Sequence, residues 1–463
     1  MSKKLFIVTD LGGGDGGKGG VIHKLCSLEQ VHTVIKVGGA QGSHGVRTAN
    51  GEAFCFSQFG CGTFNGSRTH ISKLMVIDPL ALGYEAELLK YNHGVRNIFD
   101  LLSVDSRALC VTPFHQIASR LRELARKDKP KGTVGVGVGE AVSDAERFPD
   151  LAFRAGDLGQ PNILNRLEAV RKQKLTDLAE IIAQVEELWP EDKETARELI
   201  QDLQNPNFPN VIQESWARLA TQIQVVPPDY LGRVILARAG TVVVESSHGV
   251  LTDRFYGFHP HTTKLRTLPE FTLAMLSESG YDGEMVKLGV TRGYQIRHGA
   301  GPMVTESPEL LEKLLPGSSK EANRWQGEAR VGPLDLVSLR YAINACGGTQ
   351  TFDGLAITWF DQIGVFGEWP VCQSYIGADD QNFFSPEGER RVHCGSGFAQ
   401  LEYQKKLGER LKQCRPRVSC YPFPDPTDKE SLATVCQEVC RAELKLPVKM
   451  ISFGPTEDDK VCL

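Results

Sequence analysis

The chain has 463 residues, of which 41% are hydrophobic and 24% charged; 52 Lys and Arg against 57 Asp and Glu leave a formal net charge of -5. That length allows one to three domains and a large buried core, and the composition is that of a soluble globular protein. The slightly acidic balance excludes a broadly basic nucleic-acid binder, and no run of about 18 apolar residues is present to predict a membrane-spanning helix.

The apolar run Leu5-Phe6-Ile7-Val8 reads as a strand. It meets Thr9-Asp10 too soon for the core of a secretory signal. It leads into Gly12-Gly13-Gly14-Asp15-Gly16-Gly17-Lys18-Gly19-Gly20, after which Val21, Ile22, Leu25 and Leu28 are spaced for one face of a helix. Strand, glycine loop and helix, in that order, are how α/β proteins hold phosphates. Residues 31–37 predict a second strand ending at Gly38-Gly39, and 74–77 a third. Another glycine cluster fills 132–139. Residues 160–222 are charged, rich in Glu and Leu and almost free of Gly, which predicts a helical excursion, bounded here at 159–230. Residues 241–244 form a strong buried-strand signal ending at Glu245-Ser246-Ser247-His248-Gly249. Further strands are expected at 355–360 and at 448–453, the latter leading into Gly454-Pro455. There is no internal repeat or long linker. The alternation predicts one α/β domain over 1–463, with a large, mostly parallel sheet, surrounding helices and a helical insertion.

The 47 Gly exceed the usual share of about 7% and are clustered, which points to loops where backbone approaches a ligand closely. The 12 Cys are scattered, without a CxxC or zinc-site spacing, so a reduced, cytoplasmic location is expected. Cys436 and Cys440 read as two neighbouring thiols on one helix face.

From Gly12 to Lys18 the spacing is GxxxxGK, but Gly19 stands where a phosphate loop places the Ser or Thr that binds Mg²⁺. The loop carries an acid instead. A carboxylate beside phosphates is costly unless it binds a cation or takes a proton. Asp15 is therefore a candidate metal ligand, general base or both, the alternative being a turn without a ligand. In Gly38-Gly39-Ala40-Gln41-Gly42-Ser43-His44-Gly45, a histidine among small residues at a strand end is placed to donate to developing negative charge; the alternative is a structural or exposed His.

Taken in order, these segments resemble the adenylosuccinate synthetase family. Gly14-Asp15-Gly16-Gly17-Lys18-Gly19-Gly20 compares with its Gly-Asp-Glu-Gly-Lys-Gly-Lys, and 38–45 with its Gly-Gly-His-Asn-Ala-Gly-His-Thr. Val76-Ile77-Asp78-Pro79, Gly132-Thr133 through Gly139, and Arg154-Ala155-Gly156-Asp157 are similar to later blocks. So are Gly299-Ala300-Gly301-Pro302 with Thr305-Glu306, Gly332-Pro333-Leu334-Asp335, Thr358-Trp359-Phe360-Asp361 and Phe453-Gly454-Pro455. The matches span nearly the whole chain in register.

The resemblance implies a GTP-dependent ligase forming C–N bonds, with Mg²⁺, working as a homodimer. In that family GTP phosphorylates the 6-oxygen of IMP, and the amine of aspartate displaces the phosphate. By this resemblance Asp15 is the base that takes the N1 proton and also contacts Mg²⁺. Lys18 contacts the phosphates and His44 stabilises the transferring phosphoryl group. Gly14, Gly16, Gly17, Gly19 and Ser43 belong to the GTP and metal site. Asp361 reads guanine beside Gly454 and Pro455. Gln41, Thr133, Val134, Arg147, Ser247, His248, Thr262 and Arg330 are the matching substrate positions.

The departures lie elsewhere. His248 replaces the Gln that orients the oxo-substrate, and is a candidate catalytic residue that hydrogen-bonds the new oxo-substrate or acts as a second acid/base, the alternative being a replacement without catalytic meaning. Thr133-Val134 stands for two threonines, one of which binds the IMP phosphate. Arg147 is the nearest counterpart of an Arg that the partner subunit contributes. The loop that holds aspartate has become 323–330, with Arg330 in register and Glu328 newly acidic. Gln58-Phe59-Gly60 stands for Pro-Ser-Gly. A loop for two carboxylates needs cations, each worth about 1.5–3 kcal/mol in charge-assisted bonding. Three functions follow: the same engine with a changed oxo-substrate or amine, an adenylosuccinate synthetase proper, or a GTP-binding protein without catalysis. The retained pair Asp15 and His44 argues against the last.

Overall fold

The computed structural model describes residues 2–315, 325 and 327–463. The chain opens with β1 (Lys3–Asp10), α1 (Lys18–Leu28) and β2 (Val31–Gly39), then a hairpin of β3 (His44–Arg47) and β4 (Ala53–Phe56), then β5 (Arg68–Ile77). Next come α2 (Pro79–Asn92), β6 (Leu102–Asp105), β7 (Leu109–Cys110), α3 (Pro113–Leu124) and α4 (Val138–Arg147). Four helices follow in succession: α5 (Ile163–Asp177), α6 (Ala179–Ala183), α7 (Pro190–Gln204) and α8 (Phe208–Ala220). The chain returns through β8 (Gln224–Val226), β9 (Gly240–Gly249), β10 (Glu284–Arg292), β11 (Gln295–His298), β12 (Ala329–Gly332) and β13 (Leu334–Asp335). It closes with β14 (Gly354–Thr358), β15 (Glu368–Ile376), β16 (Arg415–Pro422), β17 (Val448–Ser452) and β18 (Lys460–Cys462).

Eleven strands form one sheet in the order β18-β17-β14-β10-β1-β9-β2-β5-β6-β8, with β7 also on β5. The pairs are parallel except that of β17 with β18. A parallel sheet is covered on both faces, so its strands read as continuous apolar runs. Leu5 and Ile7 of β1 pack with Ile35, Val242, Val244 and Met275 on one face. Phe6 and Val8 pack with Val21, Ile22, Leu25 and Val34 on the other. The fold class is the one expected.

Three boundaries differ from the sequence reading, each for a physical reason. β5 begins at Arg68 and not at residue 74, because Thr69, His70 and Ser72 are buried polar residues with internal partners: His70 Nδ1 meets Ser103 Oγ, and Ser72 Oγ donates to the Lys36 carbonyl. β9 continues through Gly249, because Glu245 is fully buried in an ion pair. β14 stops at Thr358, because Trp359 turns left-handed at φ 58°. Asp10, Gly39, Gly249, Arg292 and Thr358 thus end neighbouring strands at one edge of the sheet. The carboxyl edge is where open parallel sheets bind ligands.

Candidate active site

Asp10, at the end of β1, organises the glycine loop. Its Oδ1 accepts from the Gly12 amide (2.8 Å), and its Oδ2 accepts from the Gly16 amide (2.9 Å) and from Lys18 Nζ (2.8 Å). A Cβ on Gly16 would lie 2.7 Å from that carboxylate, so the approach requires glycine. Gly17 caps α1 at φ 83°, packed on Thr358, whose hydroxyl donates to the Gly16 carbonyl (2.7 Å). Lys18 is buried and also donates to the His248 carbonyl (2.9 Å). Two of its three donors are thus engaged within the protein.

Asp15 sits at the tip, left-handed at φ 57°. Its carbonyl accepts from Arg292 Nε (2.5 Å), and its carboxylate Oδ2 lies 3.1 Å from His298 Nε2. Behind the loop is a buried charge centre. Glu245 Oε1 accepts from Lys36 Nζ and His44 Nδ1, both at 2.6 Å, and Oε2 accepts from the Cys61 amide at 2.9 Å. Burial raises the Glu245 carboxyl, but Lys36 and His44 outweigh it and hold it well below the usual range. Burial lowers the His44 imidazole, opposed by Glu245. The bond at Nδ1 leaves Nε2 as the other ring nitrogen, and His44 does not line either of the two cavities described below. His44, Cys61 and Glu245 place ligand atoms within 4.8 Å of one another. The Lys36 ammonium on the carboxylate makes this an ion-pair centre and not a metal centre.

Asp15 and His298 line one cavity together with Gln41, Lys131, His248 and the 132–139 loop. Thr133, Val134 and Thr262 line it as well. His248 is left-handed at φ 66° and its Nδ1 is buried without a partner. Burial and then Lys18 push its imidazole down to about 3, so it is neutral at physiological pH. Gln41 Oε1 is likewise buried without a partner. Lys131 and Lys264 share the cavity and form no ion pair among the described residues. Burial and then Lys264 push Lys131 down to about 8.

A second cavity, of about 640 Å³, opens on the other side of Gly17. Arg47, Cys55, Trp359, Asp361, Gly454, Pro455 and Lys460 line it. Burial raises the Asp361 carboxyl. A chain of contacts joins the two cavities: Arg292 Nη1 donates to the Tyr294 hydroxyl (2.7 Å), which donates to Gln362 Oε1 (2.9 Å), and the guanidinium lies 4.4 Å from the Trp359 ring.

Other expected positions are turned elsewhere. Ser43 Oγ faces Cys55 Sγ (3.0 Å) across the β3–β4 hairpin. Ser247 is buried and donates to the Gly39 carbonyl (3.1 Å), so it supports the turn from behind. Arg147 ends α4, largely exposed, 3.6 Å from Asp177 and outside the lining of the Asp15 cavity. Arg330 is held by Glu306 (2.7 Å) and the carbonyls of Gly299 (2.7 Å) and Gly301 (2.9 Å), at a third cavity that Glu328 also lines. Residues 323, 324 and 326 of that loop lie outside the described residues. Sequence reasoning missed Asp10, Lys36, Glu245, Lys131, Lys264 and His298. A signal existed for two of them: Lys36 and Glu245 are charges inside otherwise apolar strands.

One glycine loop at the carboxyl edge of a parallel sheet, with a carboxylate at its tip and a cavity on each side, is the arrangement of a nucleotide-using enzyme. The sequence profile of the family described as adenylosuccinate synthetase matches residues 7–461, and the chain belongs to that family. It is a GTP-dependent C–N ligase of this type. An adenylosuccinate synthetase of Chlorobium luteolum is 26% identical over 97% of this chain and 95% of that protein. One from Thermus thermophilus is 27% identical over 85% and 87%. The fold is shared with the fully ligated adenylosuccinate synthetase of Plasmodium falciparum, with a TM-score of 0.75, 19% identity and 99% of both chains covered. It is shared too with the succinoaminodeoxyadenylate synthetase of cyanophage S-2L, bound to dGMP and dATP, with a TM-score of 0.59, 16% identity and coverage of 100% and 96%.

Proposed function

We propose that Asp15 takes the N–H proton of an amide-like group on a purine nucleotide while GTP phosphorylates the neighbouring carbonyl oxygen, and that an amine then displaces the phosphate. The observation that carries this is the Asp15 carboxylate, presented at the loop tip into the cavity opposite the Asp361 cavity. His44 Nε2, with Nδ1 anchored on Glu245, stabilises the transferring phosphoryl, a step governed by positioning and electrostatics. Asp15 would hold a magnesium ion through its hard carboxylate oxygen, and the ion would neutralise phosphate charge there. Neutral His248, with an unpartnered nitrogen at the acceptor cavity, holds the carbonyl oxygen by a hydrogen bond and does not serve as an acid. Phosphate release from GTP, with IMP and aspartate and then with a panel of oxo-purines and amines, tests the reading. Turnover with no acceptor, despite GTP binding, overturns it.

Lys131 and Lys264 support an acceptor that carries a phosphate, because two nearby ammonium groups without carboxylate partners among the described residues make an anion site. Lys131→Ala should raise KM for a nucleotide acceptor by about ten-fold or more, and leave the matching nucleoside unaffected. Equal effects on both would refute the phosphate contact.

Asp361 supports GTP selection, since a carboxylate accepts from both N1–H and the 2-amino group of guanine. Asp361→Asn should narrow the preference for GTP over ATP by about ten-fold or more in kcat/KM. An unchanged preference would remove Asp361 from base recognition. On the amine side, Arg330 is committed to Glu306 and two carbonyls, and Glu328 adds negative charge. These features support a donor other than aspartate. The curated relatives named adenylosuccinate synthetase favour aspartate, so normal turnover with IMP and aspartate would decide for the second reading.

We infer a homodimer in which the exposed Arg147 reaches the partner's cavity; sedimentation and an Arg147→Ala effect on acceptor KM test it. A cytoplasmic location is supported by twelve free thiols. Among the described residues no helix is long and apolar enough to cross a membrane.

A further inference from the structure

We infer that the indole of Trp359 is the platform on which the purine base of the nucleotide stacks, giving affinity for the base while Asp361 makes the choice among bases. This rests on the reading of the Asp361 cavity as the base site. Strand β14 ends at Thr358, and the residues at that end take separate tasks. Thr358 is buried and its hydroxyl donates to the Gly16 carbonyl (2.7 Å). Phe360 is fully buried, edge-on to Trp369 with ring centroids 4.9 Å apart. Trp359 between them is left-handed at φ 58°, a conformation that strains a bulky residue and that folds retain mainly at ligand sites. Its side chain stays partly buried and lines the cavity with Asp361. An indole is stabilised most by full burial, so core packing alone would have turned it inward beside Phe360.

The ring is supported from behind. The Arg292 guanidinium lies 4.4 Å from the ring centroid, and Arg292 is itself fixed by the Asp15 carbonyl (from Nε, 2.5 Å) and the Tyr294 hydroxyl (from Nη1, 2.7 Å). A cation on one face holds the plane of the ring, so a base meets a surface already ordered and little freedom is lost on binding. The cavity, of about 640 Å³, has room for a nucleotide. Gly17 of the glycine loop lines it, and so do the apolar Val46, Phe54 and Pro455. This lining suits a flat base with a polar edge: the face stacks on the indole and the edge reaches the carboxylate. Stacking is nearly indifferent to which base is present, because every base has a π face, whereas a carboxylate discriminates by the donors along the edge. Trp359 and Asp361 therefore act on different observables.

The test compares Trp359→Leu with Trp359→Phe, and both with Asp361→Asn. In the phosphate-release assay, KM for GTP should rise about ten-fold or more in the leucine variant, with kcat changed far less. The ratio of kcat/KM for GTP over ATP should stay as in the wild type, and the phenylalanine variant should keep most of the affinity. Inorganic triphosphate, which has no base, should inhibit the wild type and the leucine variant with equal potency. That measurement separates a lost base contact from damage to the glycine loop. An unchanged KM in the leucine variant, a phenylalanine variant as weak as the leucine one, a change in the GTP-to-ATP ratio as large as that of Asp361→Asn, or weakened inhibition by triphosphate would each overturn the proposal. The two failures are distinguishable. If Asp361→Asn also leaves the preference unchanged, the cavity is not the base site and that reading fails. A narrowed preference in Asp361→Asn beside an unchanged KM in Trp359→Leu sinks Trp359 alone.

Discussion

Asp15→Asn should lower turnover by about a hundred-fold or more while GTP still binds. The substitution is close to isosteric, and Asn tolerates the left-handed backbone that Asp15 adopts at φ 57°, so the loop keeps its shape. Asp10 continues to hold the Gly12 and Gly16 amides and Lys18. The Asp361 cavity lies on the far side of Gly17, so the proposed guanine site is left untouched. What is lost is the oxygen proposed to accept the proton and to hold a magnesium ion. Titration with a fluorescent GTP analogue and a phosphate-release assay separate binding from chemistry. Retained turnover would remove Asp15 from the reaction, and joint loss of binding would make the residue part of the nucleotide site alone.

Much of this site was legible in the sequence because it is built from local motifs. The loop at 12–20 sits between one strand and one helix, so its glycines, Asp15 and Lys18 can be read without knowing the fold. The same holds for Asp361 with Trp359, and for Gly454-Pro455 after β17. What was not legible depends on pairing between distant segments. Glu245 and His44 are 201 residues apart and meet because β9 lies beside β2. His298 reaches Asp15 only because β10 lies beside β1 and the chain doubles back into β11. Lys18 has the spacing of a phosphate-loop lysine, yet its ammonium already serves Asp10 and a carbonyl. Ser247 and Ser43 occupy motif positions but turn their hydroxyls away, a choice of rotamer that no sequence pattern encodes.

Glu245→Ala should be the most damaging change to stability. Lys36 is fully buried, and its ammonium faces the Glu245 carboxylate at 2.6 Å. Removing the acid leaves that charge uncompensated, which costs about 3–5 kcal/mol. It also strands the Cys61 amide and frees His44 Nδ1. Thermal unfolding reads the first effect and phosphate release the second. The sign of the pH dependence follows from the direction of the shift. The folded carboxyl lies well below its unfolded value of about 4.3, so its contribution is complete above that pH and is lost as the pH falls toward the folded value. The wild type should therefore lose stability on acidification below about pH 4 more steeply than Glu245→Gln. A steeper loss in the variant would contradict the ion pair. The paired substitution Lys36→Met with Glu245→Leu separates fold from function. Apolar residues of similar volume often replace a buried pair without loss of stability, so unfolding should recover toward the wild-type temperature. Turnover should not recover, because His44 would still lack the acceptor that orients it. Recovery of both would reduce Glu245 to a packing residue and leave His44 to be oriented by the hairpin alone.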